Sequence, residues 1–263
     1  MPFDLRASVS HLLKHGYVII RESGAPAELL EEVKADALER ARLRGGSRTS
    51  INNWSNIERS AWWRLLEWCI DPLSAVGAVM DATFGDCWFY DVAGGEAVVP
   101  RAPWTGRECA AHSDWKGVPL GVIAASFIVN HNVTDDMAPL IIYSKFDGTS
   151  RACVGPYGTV ILRDVSTIHH GSPNLTDTTV IKPCIRFLTA EALQRGYRPK
   201  PFIPASQYSK FDVRTFRKLH FCFDSGLEQD QAHGRRFDTP PSLGFLAMPN
   251  SEDDEGDVSF MEP

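Results

Sequence analysis

The sequence lacks the features that mark a secreted, membrane-bound or nucleic-acid-binding protein. The stretch from Met1 to Ser10 has no basic segment followed by an apolar one, and no apolar run approaches the roughly 20 residues that span a bilayer. The net charge is −6 and the isoelectric point is near 5.8, which gives no broad attraction for polyanions. The six cysteines include no C-x-x-C pair of the kind that binds zinc or forms a redox dithiol. We therefore expect a cytoplasmic protein with reduced thiols and with no membrane or nucleic-acid partner.

The composition is that of an ordinary globular protein. Apolar residues make up 43% of the 263 residues and charged residues 23%, far from the pattern of disordered chains. A barrel or sandwich of this length commonly stays undivided. We therefore predict a single domain over residues 1–263, with a helical N-terminal cover over about 1–84, a β core over about 85–190 and an irregular C-terminal extension over about 191–263.

The first third of the chain has the apolar spacing of amphipathic helices. Helices are predicted over 3–15, 26–45, 58–70 and 72–84, with a short β-branched strand between the first two. After Gly85 the pattern changes, because short runs of β-branched and aromatic residues alternate with turn residues. Strands are predicted over 87–92, 108–112, 122–129, 140–143, 159–162, 167–169 and 181–188. So many short strands in about a hundred residues favour a sandwich or barrel over a βαβ sheet. A last helix is predicted over 213–223, followed by a solvated acidic tail over 251–257.

The triplet His112-Ser113-Asp114 is the most informative motif in the sequence. In a strand, residues i and i+2 point to the same face, so this imidazole and this carboxylate converge on one point. A second histidine from a distant strand would complete the two-histidine, one-carboxylate set that binds Fe(II) in oxygenases and leaves coordination positions open. On its own the triplet is common by chance.

A second element follows downstream, where an apolar strand beginning at Gly158 ends in two histidines and a turn that reaches Asn174. Adjacent residues of a strand point to opposite faces, so only one of His169 and His170 can face the first motif. The residues alone leave the choice between them open.

These two motifs resemble those of the phytanoyl-CoA dioxygenase superfamily, in their order and in their spacing. The likeness extends to the opening strand and helix and to Ala138-Pro139-Leu140 between the motifs, and it covers about residues 10–190. The resemblance implies a mainly β fold, a double-stranded β-helix (a cupin-like jelly roll) with N-terminal helices. It implies Fe(II) and 2-oxoglutarate as cofactors, with His112, Asp114 and His169 as metal ligands and catalytic residues.

The resemblance also implies a basic residue that binds the 5-carboxylate of 2-oxoglutarate. The family's arginine position falls on Val180 here, and its Arg-Pro pair corresponds to Lys182-Pro183 after a two-residue insertion. Lys182 and Arg186 share the same strand parity, so either can be the anchor. Further carboxylate contacts are expected from Ser172 and from Asn130. Three residues around the first motif are expected to shape the substrate pocket: Arg101, Trp104 and Trp115.

The activity implied is that of a dioxygenase that couples decarboxylation of 2-oxoglutarate to hydroxylation, or another oxidation, of an unactivated C–H bond. O₂ and a small molecule, an intermediate of specialised metabolism, are the expected substrates. Halogenation is not expected, because related halogenases have a small residue where Asp114 stands. Two alternatives remain: a non-catalytic cupin-like metal- or ligand-binding protein, and a cupin-like enzyme that uses another divalent metal for isomerisation or hydrolysis.

Overall fold

A computed structural model describes residues 3–45, 48–53, 61–101, 109–114, 119–197, 203–204, 211–219 and 223–224. The helices are α1 (Leu5–His15), α2 (Ala27–Arg44), α3 (Ala61–Ile70), α4 (Ala75–Phe84), α5 (Ala190–Gln194) and α6 (Val213–Leu219). The strands are β1 (Tyr17–Ile20), β2 (Arg48–Asn53), β3 (Trp88–Val98), β4 (Val122–Phe127), β5 (Asn132–Val133), β6 (Ile141–Tyr143), β7 (Ser150–Ala152), β8 (Gly155–Pro156), β9 (Val160–Asp164), β10 (His169–His170), β11 (Val180–Thr189), β12 (Ile203–Pro204) and β13 (Phe223–Asp224). None of the helices within these ranges is long and apolar enough to cross a membrane.

The N-terminal helices cover one face of the β structure. The side chain of Asp4 accepts a hydrogen bond from Ala7 N (2.9 Å) and begins α1, which ends at Gly16 in the left-handed conformation. α1 packs on α4 and α2 packs on α3. The apolar stripes of these helices join the inner residues of the strands in one core. This arrangement agrees with the predicted helical cover.

The larger sheet has six strands in the order β1-β9-β4-β11-β3-β2, and each neighbouring pair is antiparallel. A smaller sheet has the order β10-β6-β7, and His112 extends it through a bridge to His169. Along the chain from β3 to β11 the strands pass back and forth between the two sheets. The fold is therefore a double-stranded β-helix, as the resemblance implied.

Several element boundaries differ from the predicted ones. The fourth helix begins at Ala75 instead of residue 72, because the Ser74 side chain caps it by accepting from Gly77 N (2.9 Å). β3 and β11 run farther than predicted, since they pair with each other along their whole lengths. Residue 108 of the predicted strand 108–112 lies outside the described residues, and among the other four only His112 has a bridge. α6 ends at Leu219, and the acidic tail is also outside the described residues.

Candidate metal centre

Three side chains that can hold a metal ion meet between the two sheets. His112, Asp114 and His169 each offer one ligand atom, and these atoms lie within 4.8 Å of one another. The Nε2 atoms of His112 and His169 lie 3.6 and 3.3 Å from Asp114 Oδ1. Two imidazole nitrogens and one carboxylate oxygen on one side of a cavity are the donor set of the Fe(II) facial triad. The residues present therefore fit such a metal.

Backbone pairing explains why residues 57 positions apart meet. His112 N donates to His169 O (2.9 Å) and His169 N donates to His112 O (2.8 Å). Asp114 N donates to Val165 O (3.1 Å), which fixes the third ligand over the end of β9. The two imidazole rings consequently face each other, with their centroids 4.6 Å apart.

A tight turn after β9 directs His169 toward the cavity. Thr167 N donates to Asp164 O (2.9 Å), and the Asp164 carboxylate accepts from Ser166 N (3.0 Å) and from Lys145 Nζ (2.5 Å). Asp164 is completely buried. Since each of its contacts stays inside the turn or ties it to a neighbouring loop, the turn is fixed and β10 starts in a defined register.

The hydrogen bonds of the histidines leave Nε2 available for a metal. His112 Nδ1 lies 2.7 Å from Ala110 O, and His169 Nδ1 lies 2.9 Å from Thr167 O. A carbonyl oxygen can only accept, so both rings carry their proton on Nδ1 when these bonds are made. The tautomer that a metal ligand requires is thus selected by the backbone.

The electrostatic environment favours the ligand forms of Asp114 and His169. Burial alone would raise the pKa of Asp114, but its close contacts with His112 and His169, with the charge of Arg163, hold that pKa well below its ordinary value. Burial lowers the pKa of His169, and the Arg163 guanidinium lowers it further. The net shifts favour the forms that bind a metal, the ionised carboxylate and the neutral imidazole.

His170 points away from this cluster. Its Nδ1 lies 2.6 Å from Gly171 O, and its ring contacts Tyr143 at 5.8 Å between centroids. The structure brings His169, and not His170, to His112 and Asp114. The choice between the adjacent histidines therefore follows from the pairing of β10 with the first motif.

His112, Asp114 and His169 line a cavity of about 510 Å³ between the two sheets. Inward-facing side chains of the larger sheet form three successive rows along this cavity, spaced by about 6.5 Å, the rise of two strand residues. The first row holds Arg163, Ala124 and Arg186; the second holds Ile161, Ser126 and Cys184; the third holds Lys182 and Glu96. Because Arg163 contacts two of the candidate ligands, the first row is level with the metal centre and the third is deeper.

The two predicted anchors line this cavity at different levels. Lys182 Nζ lies 3.0 Å from a carboxylate oxygen of Glu96 in the third row. Arg186, in the first row, pairs with the buried Asp91 at 3.1 Å. Burial, together with the charge of Asp91, which its hydroxyl contacts, raises the pKa of Tyr197 to about 12.

Ser172 and Asn130 make backbone contacts in this structure. The Ser172 hydroxyl donates to Pro139 O, and Ser172 is not among the described residues that line the cavity. Asn130 donates to Thr179 O (3.0 Å) and accepts from Ile181 N (3.0 Å), which fixes the start of β11. The cofactor role predicted for Ser172 stays a prediction.

Of the three residues expected to shape the substrate pocket, only Arg101 lies within the described residues. Trp104 and Trp115 lie outside the described residues. Arg101 is exposed and pairs with Asp177 at 2.9 Å.

One residue beside the metal centre was not singled out from the sequence. Arg163 directly follows the apolar run of β9, and its side chain contacts both Asp114 and His169. Arg163 lies two residues after Ile161, which is buried, so both side chains point to the same face of β9. This spacing is the signal that could have placed Arg163 inside the β-helix. A charged residue after a short apolar run can equally mark the exposed end of a strand, so the pattern alone does not decide whether Arg163 lies inside the β-helix.

No protein-family model matches the sequence, and no curated protein matches it. Among solved structures, the chain is similar to the non-heme alpha ketoglutarate dependent epimerase SnoN from nogalamycin biosynthesis, at 13% identity and a TM-score of 0.52 over 71% of this chain and 83% of that one. It is also similar to EctD from S. alaskensis, solved with 2-oxoglutarate and 5-hydroxyectoine, at 17% identity and a TM-score of 0.54 over 73% and 78%. A third is the carbocyclase SnoK from nogalamycin biosynthesis, at 14% identity and a TM-score of 0.54 over 72% and 88%. At such identities the likeness is one of fold, the double-stranded β-helix.

Proposed function

We propose that this protein is an Fe(II)- and 2-oxoglutarate-dependent dioxygenase that oxidises an unactivated C–H bond of a small molecule. The observation that carries the proposal is the convergence of His112, Asp114 and His169 at the mouth of a cavity with Lys182 at its deeper end. The similar structures SnoN, SnoK and EctD, whose descriptions name 2-oxoglutarate or alpha ketoglutarate, support the same reaction class. We keep the phytanoyl-CoA dioxygenase superfamily and a single-domain organisation as parts of this proposal.

In the proposed mechanism the protein holds, orients and shields the reactants. His112, Asp114 and His169 would hold the metal, and the metal with 2-oxoglutarate and O₂ would supply the oxidation: one oxygen atom goes into succinate as CO₂ is lost, and the other oxidises the C–H bond of the substrate. Backbone carbonyls keep the Nδ1 protons in place, so each Nε2 stays a ligand. The apolar side chains along the cavity, among them Ile161 of the second row, exclude water from the centre.

Lys182 is the residue we assign to the far carboxylate of 2-oxoglutarate. It lies in the third row, so a dicarboxylate that starts at the metal reaches it along Ser126 and Cys184 of the second row. Burial raises the pKa of Cys184, which leaves a neutral thiol beside this path. Arg186 is level with the metal and held by buried Asp91, which suits a contact on the substrate side better than a deep anchor.

A second candidate, a metal- or ligand-binding protein without redox activity, is favoured by one observation. Lys182 already has Glu96 at 3.0 Å, and Val180 stands at the position that carries arginine in the family it resembles. An anchor with a resident carboxylate binds a dicarboxylate more weakly, because like charges repel.

Anaerobic calorimetry tests the proposal and separates the two candidates. Wild type, His169→Ala and the matched control His170→Ala are titrated first with Mn(II) and then with 2-oxoglutarate. We expect His169→Ala to lose Mn(II) binding and His170→Ala to keep it, because only His169 faces the other ligands. Binding of Mn(II) by wild type with no affinity for 2-oxoglutarate would instead support the non-redox candidate.

A further inference from the structure

A buried arginine stands directly behind the candidate metal ligands. Arg163 is 6% exposed, and its Nη2 donates to Asp114 Oδ2 at 2.8 Å. Nη1 lies 3.0 Å from His169 Nδ1, and Nε is buried with no hydrogen-bond partner among the described residues. One guanidinium therefore touches two of the three ligands from the side of the cavity.

The contact with Asp114 selects the carboxylate oxygen that a metal can use. Oδ1 is the oxygen that lies near both histidine Nε2 atoms, whereas Oδ2 accepts from Arg163. A charge-assisted bond on Oδ2 holds that oxygen away from the ligand cluster. Asp114 is consequently presented through one oxygen, which keeps more positions of a bound metal open.

The contact with His169 cannot be kept as a hydrogen bond when that histidine is a metal ligand. A metal on Nε2 requires the proton on Nδ1, and this proton goes to Thr167 O at 2.9 Å. Arg163 Nη1 is itself a donor and can no longer donate to Nδ1. In the ligand state Arg163 therefore has Asp114 as its firm partner, and Nη1 is a donor left for an anion in the cavity that Arg163 lines.

The charges around the candidate metal centre also favour a bound anion in the cavity. Two neutral imidazoles, the Asp114 carboxylate and the Arg163 guanidinium carry no net charge, so a divalent metal adds its whole charge to the site. The other described cations of the cavity, Lys182 and Arg186, each have a carboxylate partner. A bound dianion makes the site neutral again. Without the arginine, the metal and its three ligands would carry one positive charge, and a dianion would not be required.

We propose that Arg163 is a positioning residue that makes the metal and a dianionic 2-oxo acid bind as a pair. It orients Asp114 through Oδ2 and adds a fixed positive charge beside the metal, so the metal alone binds weakly and the 2-oxo acid strengthens that binding. This inference rests on the proposed function, since it needs both ligands to use this site. It goes beyond that function because it predicts the sign and strength of the coupling between the two ligands.

The test measures the dissociation constant of Mn(II) with and without saturating 2-oxoglutarate, in the absence of O₂. The variants are Arg163→Met, which removes the charge, and Arg163→Lys, which keeps it. Arg42→Met is the matched control, because Arg42 is an exposed helix residue and its loss changes the net charge equally. Thermal melting without metal identifies any variant that does not fold.

The ratio of the two constants is the coupling between the ligands, and reciprocity requires the same ratio for 2-oxoglutarate. In Arg163→Met we expect Mn(II) alone to bind more tightly than in wild type and the coupling ratio to fall about tenfold, within the usual range of such couplings. We expect Arg163→Lys and Arg42→Met to keep most of the wild-type ratio. A purely structural arginine would change melting and leave the ratio unchanged.

The inference is overturned if folded Arg163→Met has the wild-type ratio, or if Arg163→Lys, which retains the charge, loses the ratio completely. If Arg163→Met does not fold, the ratio measured for Arg163→Lys still tests the inference. Failure of wild type to bind Mn(II) or 2-oxoglutarate would contradict the proposed function itself, and the inference with it. The two failures are therefore distinguishable in one set of titrations.

Discussion

Replacement of Lys182 by methionine tests which basic residue anchors the co-substrate. The change removes one charge-assisted contact to the far carboxylate, which is worth about 1.5–3 kcal/mol. It also leaves Glu96, a quarter exposed and 3.0 Å from the lost ammonium, beside the incoming carboxylate. Repulsion between two carboxylates at that exposure adds about 1 kcal/mol. The total of about 2.5–4 kcal/mol corresponds to a roughly 70- to 900-fold weaker affinity for 2-oxoglutarate.

The assay is anaerobic calorimetry of 2-oxoglutarate with the Mn(II)-loaded protein, and two further variants make it specific. Adding Glu96→Gln to Lys182→Met should recover about fivefold in affinity, because the like charge is removed. Arg186→Met should weaken binding far less than Lys182→Met does, since Arg186 lies two rows away at the level of the metal. If Arg186→Met weakened 2-oxoglutarate binding more than Lys182→Met does, the assignment of Lys182 as the anchor from strand register would be refuted.

Three further predictions concern the structure around the site. Gly95→Ala should lower the unfolding free energy by about 1–3 kcal/mol in chemical denaturation, because Gly95 has a positive φ of 153° and an added Cβ would collide with Lys182 O. Asp91→Asn should lower the unfolding free energy by about 1–3 kcal/mol, because Arg186, whose side chain is about a third exposed, loses its charged partner, and urea melts measure this. Burial lowers the pKa of Lys218 to about 8, so between about pH 8 and 10 the folded protein has released a proton that the unfolded chain keeps. Wild type should then gain stability relative to Lys218→Met by at most about 1.4 kcal/mol per pH unit, and an unchanged difference over this range would contradict the burial of a charged lysine.

The sequence contained enough information to predict the fold class and the first two members of the candidate site. Period-two spacing places His112 and Asp114 on one face of any extended segment, so local geometry is sufficient there. The helices of the N-terminal cover were predictable for the same reason, because their apolar stripes and their caps are local signals. Only their ends moved, where a side chain such as Ser74 decides the first turn.

The remaining features depend on pairing between distant strands. The bridge between His112 and His169 selects one of two adjacent histidines, and no local pattern contains that information. Lys182 and Arg186 have equal parity, so only their partners on β3 and β4 separate a deep row from a row beside the metal. Arg163 escaped prediction because its role arises from contacts with Asp114 and His169, which come from two other segments.

The measurement that tests the central claim most directly is the visible absorption of the Fe(II)-loaded protein on anaerobic addition of 2-oxoglutarate, followed by admission of O₂. Chelation of Fe(II) by a 2-oxo acid gives a charge-transfer band, so we predict that the band forms in wild type and in His170→Ala and is absent in His169→Ala. After O₂ is admitted, the band should decay as succinate is formed. Fe(II) binding without a band, or a band that persists in O₂ with no succinate, would contradict the proposal of a 2-oxoglutarate-dependent oxygenase.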